Sequence, residues 1–366
     1  MKGKYIYGIA AWPIAAPDGI KGIGGCYPVR VVAHDGLCCL TSDWDGPELS
    51  TLPREQLVRC LLAHQQVIER LMADCTVLPM RFGTVLGAEE EAVSLLQQGS
   101  TLFANALSSA QGKVELELAA TWDIEQALRE VSAEDDIARA RAAIASQGLP
   151  VMEQKVRLGQ AVKACLDSRR ETYRSQVMDL LKPISVAVVS NALLSDSMVL
   201  NLAFLVRRDV QGEFEGRVRS LDALFHGKLS FRLVGPMPLY SFSAIEVRPL
   251  APGELDSAKR ALQLDDNISA AEVRMAYRRM AAAEIQRMAA GGKVSSPGMP
   301  ALRQAADVLL RYCRAHEATD KACTETTRGE LIFSIDVRSA SGEEIEAERF
   351  GASASASAEQ GIRAHV

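Results

Sequence analysis

Aromatic residues and histidine are scarce in this sequence. Phe, Trp and Tyr together make up 5% of the 366 residues, so the hydrophobic cores are expected to consist mainly of Leu, Val, Ile and Ala. Histidine occurs five times, and the histidines and cysteines do not form the two closely spaced ligand pairs of a zinc site. A zinc site is therefore not expected.

The cysteines form no C-x-x-C pair, which argues against a redox motif or a zinc ribbon. The eight residues are scattered along the chain: Cys26, Cys38, Cys39, Cys60, Cys75, Cys165, Cys313 and Cys323. We expect them to be free thiols in a reducing compartment, where they pack as small apolar side chains.

Long hydrophobic runs and an excess of basic charge are also absent. No run approaches the roughly 18 to 20 apolar residues of a membrane-spanning helix, and Tyr5–Ile9 is too short for a signal-peptide core. Lys and Arg total 41 against 46 Asp and Glu, a net charge of −5, which argues against binding nucleic acid through diffuse basic charge. We therefore expect a cytoplasmic protein that engages neither membrane nor nucleic acid.

The hydrophobic content of 48% is sufficient for folded cores, and the length suits two modest domains plus an appendage. Residues 1–111 predict an N-terminal α+β domain from segments of aromatic and β-branched content, a hairpin turn signal and helical apolar patterns. Its predicted strands are Lys4–Ala11, Tyr27–Ala33 and Leu37–Thr41, and its predicted helices are Leu52–Asp74 (with Thr51 as N-cap), Ala88–Gln98 and Thr101–Ala110.

Residues 112–250 predict a second domain in which the elements follow the order β-α-β-β-α-β. The predicted elements are strand Lys113–Trp122, helices over Asp123–Gln147 and Met152–Leu181, strands Ile184–Ser190 and Met198–Arg207, helix Asp209–His226 and strand Leu229–Val234, with Phe242–Val247 extending or following it. This order predicts the ferredoxin-like split βαβ fold, an antiparallel sheet with helices on one face. The fold class is therefore α+β.

The remaining residues change in character. Residues 251–320 predict a helical appendage with helices Glu254–Leu264, Ser269–Ala290 and Ala301–His316, and Ser269 and Glu272 have the spacing of a capping box. Residues 321–338 predict one extra strand at Leu331–Arg338. Residues 339–366 are rich in Ala, Ser and Glu, which predicts a disordered tail.

An ordered set of short segments over about residues 1–250 resembles the gas vesicle protein F/L family. The segments are Tyr5–Ile9, His64 with Val67, Ile68 and Glu69, Thr76–Val85, Glu89–Val93, Val114–Leu116 and Gly235–Phe242. The resemblance implies a non-enzymatic accessory protein, without cofactors, that binds the gas vesicle shell protein and other accessory proteins. It also implies two domains, the second a modified ferredoxin-like fold, and a location at the gas vesicle.

The appendage carries a second, weaker resemblance. Ala261–Leu264 and Ser269–Met280 resemble the first two helices of a J-domain. The His-Pro-Asp triplet that stimulates an Hsp70 partner is missing, because Ala282–Gln286 stands near its place. Hsp70 activation is therefore not expected from this segment.

Five residues are candidates for partner contact: Arg81, Phe82, Tyr240, Phe242 and Tyr277. An arginine fork suits a partner's carboxylate or backbone, and the two aromatic residues of Gly235–Phe242 would face the same side of an extended chain. Each also has a structural interpretation, namely internal pairing for Arg81, core packing for Phe82, domain packing for Gly235–Phe242 and helix packing for Tyr277.

Enzymatic signals are weak throughout the sequence, so no catalytic residue is assigned. Gly19–Gly25 lacks both the P-loop ending and the Rossmann spacing, and His64 lies on the apolar stripe of its helix, which favours a core histidine. Two alternatives to an assembly protein remain, an enzyme or nucleotide-binding protein that uses a cleft between the domains and a J-like co-chaperone.

Overall fold

The structure, a computed structural model, describes residues 3–15, 19–148, 150–250, 253–265, 268–289, 298–316, 332–338 and 345–346. The chain forms two compact units. One contains residues 1–111 and 243–339, and the other contains residues 112–242 together with the short strand at 345–346. The mixture of helices and antiparallel sheets agrees with the predicted α+β class.

The first unit begins with an antiparallel sheet of five strands in the order β2-β3-β1-β4, with β5 also paired to β1. The strands are β1 Gly3–Ala11, β2 Arg30–His34, β3 Leu37–Trp44, β4 Val77–Pro79 and β5 Val85–Leu86. The helices are α1 Arg54–Met72, α2 Glu89–Gln98 and α3 Ser100–Ala110. Strand β1 lies at the centre and is buried along most of its length, as its apolar and aromatic composition favours.

The second unit is built on four antiparallel strands in the spatial order β7-β8-β6-β9. Its elements are β6 Lys113–Thr121, α4 Ile124–Ser132, α5 Asp135–Ser146, α6 Val151–Leu181, β7 Ala187–Ser190, β8 Met198–Arg207, α7 Gln211–Phe225 and β9 Ser230–Met237. Strand β8 begins and ends at the predicted residues. Alternation predicted β6, and continuous apolar runs predicted β7 and β8, which are buried along most of their length.

The chain then returns to the first unit. After the short helix α8 (Tyr240–Ser243), strand β10 (Ile245–Pro249) pairs antiparallel with β11 (Phe333–Val337), which confirms the strand predicted within 321–338. Helices α9 (Glu254–Leu262), α10 (Ala270–Ala289) and α11 (Met299–His316) share a core that includes Leu262, Val273 and Leu309. Strand β10 thus lies in the first unit, whereas the sequence pattern predicts residues 243–250 as part of the second domain.

Three local expectations were wrong in detail. Helix α1 begins at Arg54 with Pro53 as its N-cap residue and has no side-chain cap, because Thr51 lies in the preceding 3-10 turn, where its hydroxyl donates to the carbonyl of Glu48. The helix expected over Asp123–Gln147 is divided into α4 and α5, with Glu134 as the N-cap residue of α5. The strand expected to start at Phe242 starts at Ile245, because α8 occupies residues 240–243.

The strands expected to begin at Tyr27 and at Ile184 begin instead at Arg30 and at Ala187. Two further expectations are confirmed, and two lie outside the described residues. The capping box of α10 forms, since the amide of Ser269 donates to Glu272 at 2.9 Å and the amide of Glu272 donates to the Ser269 hydroxyl at 3.3 Å. The cysteines of the described ranges are free thiols, and Cys323 lies outside them. The disordered tail predicted over 339–366 also lies outside them, except that Ile345–Glu346 forms strand β12 beside β7.

Candidate partner-binding surfaces

The segment Leu78–Gly83 connects two sheets of the first unit. Leu78 and Met80 are fully buried, and the Met80 amide donates to the carbonyl of Tyr7 at 2.9 Å. The next amide, that of Arg81, donates to the carbonyl of Ile245 in β10 at 2.8 Å. Gly83 then takes a φ of +95°, which favours glycine, and turns the chain toward β5. The backbone of this segment is therefore fixed by its neighbours on both sides.

The predicted contact residue Arg81 forms an ion pair inside the first unit. Its Nη1 lies 2.6 Å from Oε1 of Glu246 in β10, and the two side chains are 33% and 42% exposed. A half-exposed pair of this kind contributes about 0 to 1 kcal/mol. A partner's carboxylate at Arg81 would therefore compete with Glu246.

Phe82 belongs to an aromatic cluster with Tyr5, Tyr7 and His64. Its ring centroid lies 6.3 Å from that of Tyr5 and 5.7 Å from that of His64, both edge to face. His64 is 1% exposed and shares a 2.9 Å hydrogen bond with the Tyr5 hydroxyl, and burial lowers its pKa to about 3. The histidine is neutral at physiological pH and packs in the core, as its place on the apolar stripe of α1 predicted.

The turn that carries Tyr240 and Phe242 is held by a buried carboxylate. Glu115, which is fully buried on β6, accepts hydrogen bonds from the Ser241 amide at 2.8 Å and the Ser241 hydroxyl at 2.6 Å. Tyr240 is half-buried, whereas the Phe242 ring is 1% exposed. The Phe242 ring is therefore a buried packing residue, and Tyr240 is the accessible aromatic residue of this turn.

Tyr277, on α10, is half-buried and packs against the core of the three C-terminal helices. It also lines a cavity of about 680 Å³ together with residues of β10, β11 and α11. Its neighbours there are mostly charged or polar. Tyr277 and the Arg81–Phe82 pair thus belong to the first unit, and the turn with Tyr240 and Phe242 to the second.

A groove on the sheet of the second unit was not assigned to particular residues by the sequence. It has a volume of about 260 Å³, and its lining includes Glu117, Ala119, Met198, Asn201, Arg232 and Val234. Glu117 pairs with Val234 and Ala119 with Arg232 across β6 and β9, so these side chains share one sheet face. On β6, the neighbouring Leu116 points to the other face, where it pairs with Phe204, whose ring packs on Phe214 of α7 at 5.0 Å between ring centroids. The groove therefore lies on the face away from α7.

The groove is bordered by exposed apolar side chains and by the end of the sheet. Val234 on β9 is 37% exposed and Leu194, before β8, is 42% exposed. Strand β9 is the terminal strand of the sheet, and its residues Ser230, Arg232 and Val234 are all exposed. The alternation of Ser230–Val234 is the sequence signal that would have identified this edge.

Metal centres and membrane spans are not found among the described residues. No group of three or more His, Cys, Asp or Glu residues in these ranges is arranged to hold a metal ion. Likewise, none of the helices in the described part of the chain is long and apolar enough to cross a membrane.

Comparison with known proteins locates the similarity in residues 3–244, which match the family described as gas vesicle synthesis protein GvpL/GvpF. Gas vesicle protein F of Streptomyces sp. (strain CB03234) is 31% identical over 242 residues, covering 65% of this chain and 98% of that protein. Gas vesicle protein F of Nostoc sp. is 27% identical over 247 residues, covering 66% and 98%.

Solved structures show the same similarity. The crystal structure of GvpF from Anabaena sp. PCC7120 is 26% identical in sequence, covers 66% of this chain and 95% of its own, and has a TM-score of 0.56. The crystal structure of GvpF from Microcystis aeruginosa is 26% identical, covers 65% and 98%, and has the same TM-score of 0.56. The match to the family ends before β10, so α9, α10, α11 and β11 lie outside it.

Proposed function

The chain belongs to the GvpL/GvpF family of gas vesicle synthesis proteins, as its short segments predicted, and we propose that it is an accessory protein of gas vesicle assembly in the cytoplasm. The observation that carries this proposal is the match over residues 3–244, which spans nearly the whole length of relatives named gas vesicle protein F. Its partners would be the hydrophobic shell protein and other accessory proteins. Binding, rather than catalysis, would be its task.

The proposed mechanism is protection of the shell subunit. A hydrophobic subunit exposes apolar surface until it polymerises, and such surface aggregates unless another protein covers it. The groove on β6, β8 and β9 combines apolar side chains at Val234 and Met198 with polar ones at Glu117 and Asn201. A surface of this mixed character suits reversible binding, because its polar groups keep it soluble when no partner is present.

The edge of β9 would extend this contact by strand pairing. A terminal strand offers unpaired backbone groups to a partner strand. Gly235 and Pro236 limit such pairing to the Ser230–Val234 part, because proline lacks the amide that a ladder requires. The partner's strand would thus lie next to Ser230–Val234, and its side chains would reach the groove.

The strand order supports classification of the second unit as ferredoxin-like. Numbered along the chain, β6 to β9 lie in the spatial order 4-1-3-2 with antiparallel neighbours, the arrangement of a split βαβ fold. We propose this fold as the module that presents the groove. The half-exposed Arg81, Phe82 and Tyr240 would be secondary contacts for further accessory proteins.

Co-expression with the shell protein tests the groove. The Val234→Glu variant of the full chain places a charge at its apolar border and should reduce co-purified shell protein about tenfold or more, because burying an unpaired carboxylate is costly. The matched control is Leu224→Glu on α7, where the leucine is 52% exposed and lies outside the groove. If the shell protein co-purifies equally with both variants, the groove is not its binding site.

The two alternatives have less support. In the structure Ala282–Gln286 lies within the continuous helix α10, and the connection that follows, residues 290–298, contains neither His nor Asp, so a His-Pro-Asp loop is missing. An Hsp70 ATPase assay should therefore show no stimulation. For the enzyme alternative, a thermal shift series with nucleotides and divalent metals should show no saturable stabilisation.

A further inference from the structure

The C-terminal helices form a charged cavity outside the part of the chain that matches the family. Its volume is about 680 Å³, and its lining includes Arg248, Tyr277, Arg303, Asp307, Arg311 and Ser334. We call this cavity the arginine groove. Its volume is in the range of about 300 to 1,000 Å³ that is typical of binding sites. Its charged lining differs from the apolar lining of most small-molecule pockets.

Helix α11 supplies most of the charge. Arg303, Asp307 and Arg311 are spaced four residues apart, which places them on one face of the helix. The opposite face of α11 is buried, with Leu302 and Leu309 in the core. Since a helix rises 1.5 Å per residue, the two arginines stand about 12 Å apart along its axis.

The arginines of the groove differ in their pairing. Arg248 of β10 binds both oxygens of Glu254, at 2.6 and 3.1 Å, and so its charge is compensated. Among the described residues, by contrast, Arg303 and Arg311 have no hydrogen-bond or ion-pair partner. Two guanidinium groups without a partner in this part of the chain therefore face the groove.

We propose that the arginine groove binds an acidic segment of a partner protein, with two carboxylates about four residues apart in an extended conformation. An extended chain advances about 3.3 Å per residue, so four residues span about 13 Å and match the separation of the two arginines. Each guanidinium can hold a carboxylate through two parallel hydrogen bonds. The whole chain has a net charge of −5, so the positive charge of this groove is a local feature and not a property of the chain as a whole.

Asp307 distinguishes this ligand from a single phosphate group. Its carboxylate stands between the two arginines and would repel an anion centred between them. A peptide avoids that repulsion, because it places its carboxylates at the two ends and its backbone amides between them. The Tyr277 ring and Ser334, which lies opposite Arg248 in the β10–β11 pair, would form the remaining walls.

Fluorescence anisotropy on the full-length protein tests the proposal. The probes are labelled peptides with the core Glu-Gly-Ser-Gly-Glu, a version with both Glu replaced by Gln, and a version with the two Glu adjacent. The spaced acidic peptide should bind saturably and about tenfold more tightly than the other two. Absence of binding, or equal binding of the adjacent version, overturns the proposal.

Charge-reversal variants connect the binding to the groove. Arg303→Glu with Arg311→Glu should weaken the spaced peptide at least about tenfold. The matched control is Arg278→Glu with Arg279→Glu, two exposed arginines of α10 that do not line the groove. Arg303→Lys with Arg311→Lys should give an intermediate affinity, since lysine keeps the charge but not the planar fork. Equal affinities in the groove and control variants contradict the proposal.

Competition separates the peptide from phosphate ligands. Inorganic phosphate and ATP should displace the labelled peptide only at concentrations at which sodium chloride does so as well. Displacement by ATP far below that range would identify a nucleotide site and overturn the peptide proposal. Because the groove lies outside residues 3–244, its failure leaves the shell-binding proposal for β9 unaffected.

Discussion

Two tyrosine hydroxyl groups join β1 to the loops of the first unit. The Tyr7 hydroxyl lies 2.7 Å from Ser42 Oγ and accepts a 2.8 Å hydrogen bond from the amide of Ile23. The Tyr5 hydroxyl is bonded to His64 and accepts from the amide of Gly83 at 3.2 Å. These bonds satisfy polar atoms inside an apolar core, so the tyrosines determine where the neighbouring loops lie.

The buried imidazole of His64 predicts a pH dependence of stability. Its pKa is lowered from 6.5 to about 3 by burial, so between these values the unfolded chain binds a proton that the folded protein does not. The free energy of unfolding should therefore fall as the pH falls from 6.5 toward 3, by up to about 1.4 kcal/mol per pH unit, while above 6.5 the contribution is complete. His64→Gln should flatten this dependence in urea unfolding series.

The exposed His226 provides the control for this measurement. It ends α7 in the left-handed conformation, at a φ of 50°, which asparagine also tolerates. His226→Asn should retain the slope of the wild-type protein. The range from about pH 4 to 6 lies within the titration range of His64. If His64→Gln and the wild-type protein show the same slope there, the imidazole is not the cause.

The buried carboxylate of Glu115 predicts a large local effect. Glu115→Ala removes both acceptors of Ser241 and leaves its buried amide without this partner, which should cost about 2 to 4 kcal/mol of unfolding free energy. Glu117→Ala, two residues along the same face of β6, should cost less than about 1 kcal/mol because Glu117 is half-buried. Urea unfolding measures the free energy of unfolding of both variants. Equal losses of stability would show that the burial of Glu115 does not increase its contribution.

At the scale of elements, the three helices before β7 are joined by one arginine. Arg169 of α6 is 19% exposed and bonds Glu130 at the end of α4, at 2.8 Å, and Glu134 at the start of α5. The Cys165 thiol also donates to Glu134, and with Arg169 it lowers the pKa of that carboxyl group. The break between α4 and α5 thus lies where one side chain of α6 holds both helices.

Removal of this link should loosen α4 and α5. Arg169→Met retains the length of the side chain but loses its charge, so hydrogen exchange should become faster over residues 124–146 and stay unchanged in β6 to β9. Lys163→Met is the control, because Lys163 pairs with Asp167 within α6 and is 75% exposed. Equal exchange rates in the two variants would mean that apolar contacts alone hold α4 and α5.

At the scale of the whole molecule, the first unit is assembled from both ends of the chain. The amide of Phe333 in β11 donates to the Gln98 side chain at the end of α2, at 3.0 Å, and β10 binds the backbone of Arg81. A fragment that ends at residue 250 would lose β11 and the core of α9 to α11. Binding experiments on this protein therefore need the full chain.

The sequence by itself determined the existence and type of most elements, the capping box at Ser269 and the family. These properties depend on local patterns: alternation produces a strand face, a polar residue before a helix produces a cap, and short segments in a fixed order carry the family resemblance. Strand β8 is the clearest case, because its long apolar run is bounded by polar residues that leave little freedom in where its ends lie.

Only the tertiary structure decided which of these faces meet. The pairing of β10 with β11 places Ile245 opposite Val337. The two arginines of α11 line a cavity only because the fold brings Arg248 and Tyr277 next to them. The burial of Phe242 and the engagement of Arg81 by Glu246 were decided in the same way. Such contacts form between residues far apart in the chain, and their stability depends on the entropy of loop closure and on the total apolar surface buried. A local sequence pattern determines neither quantity.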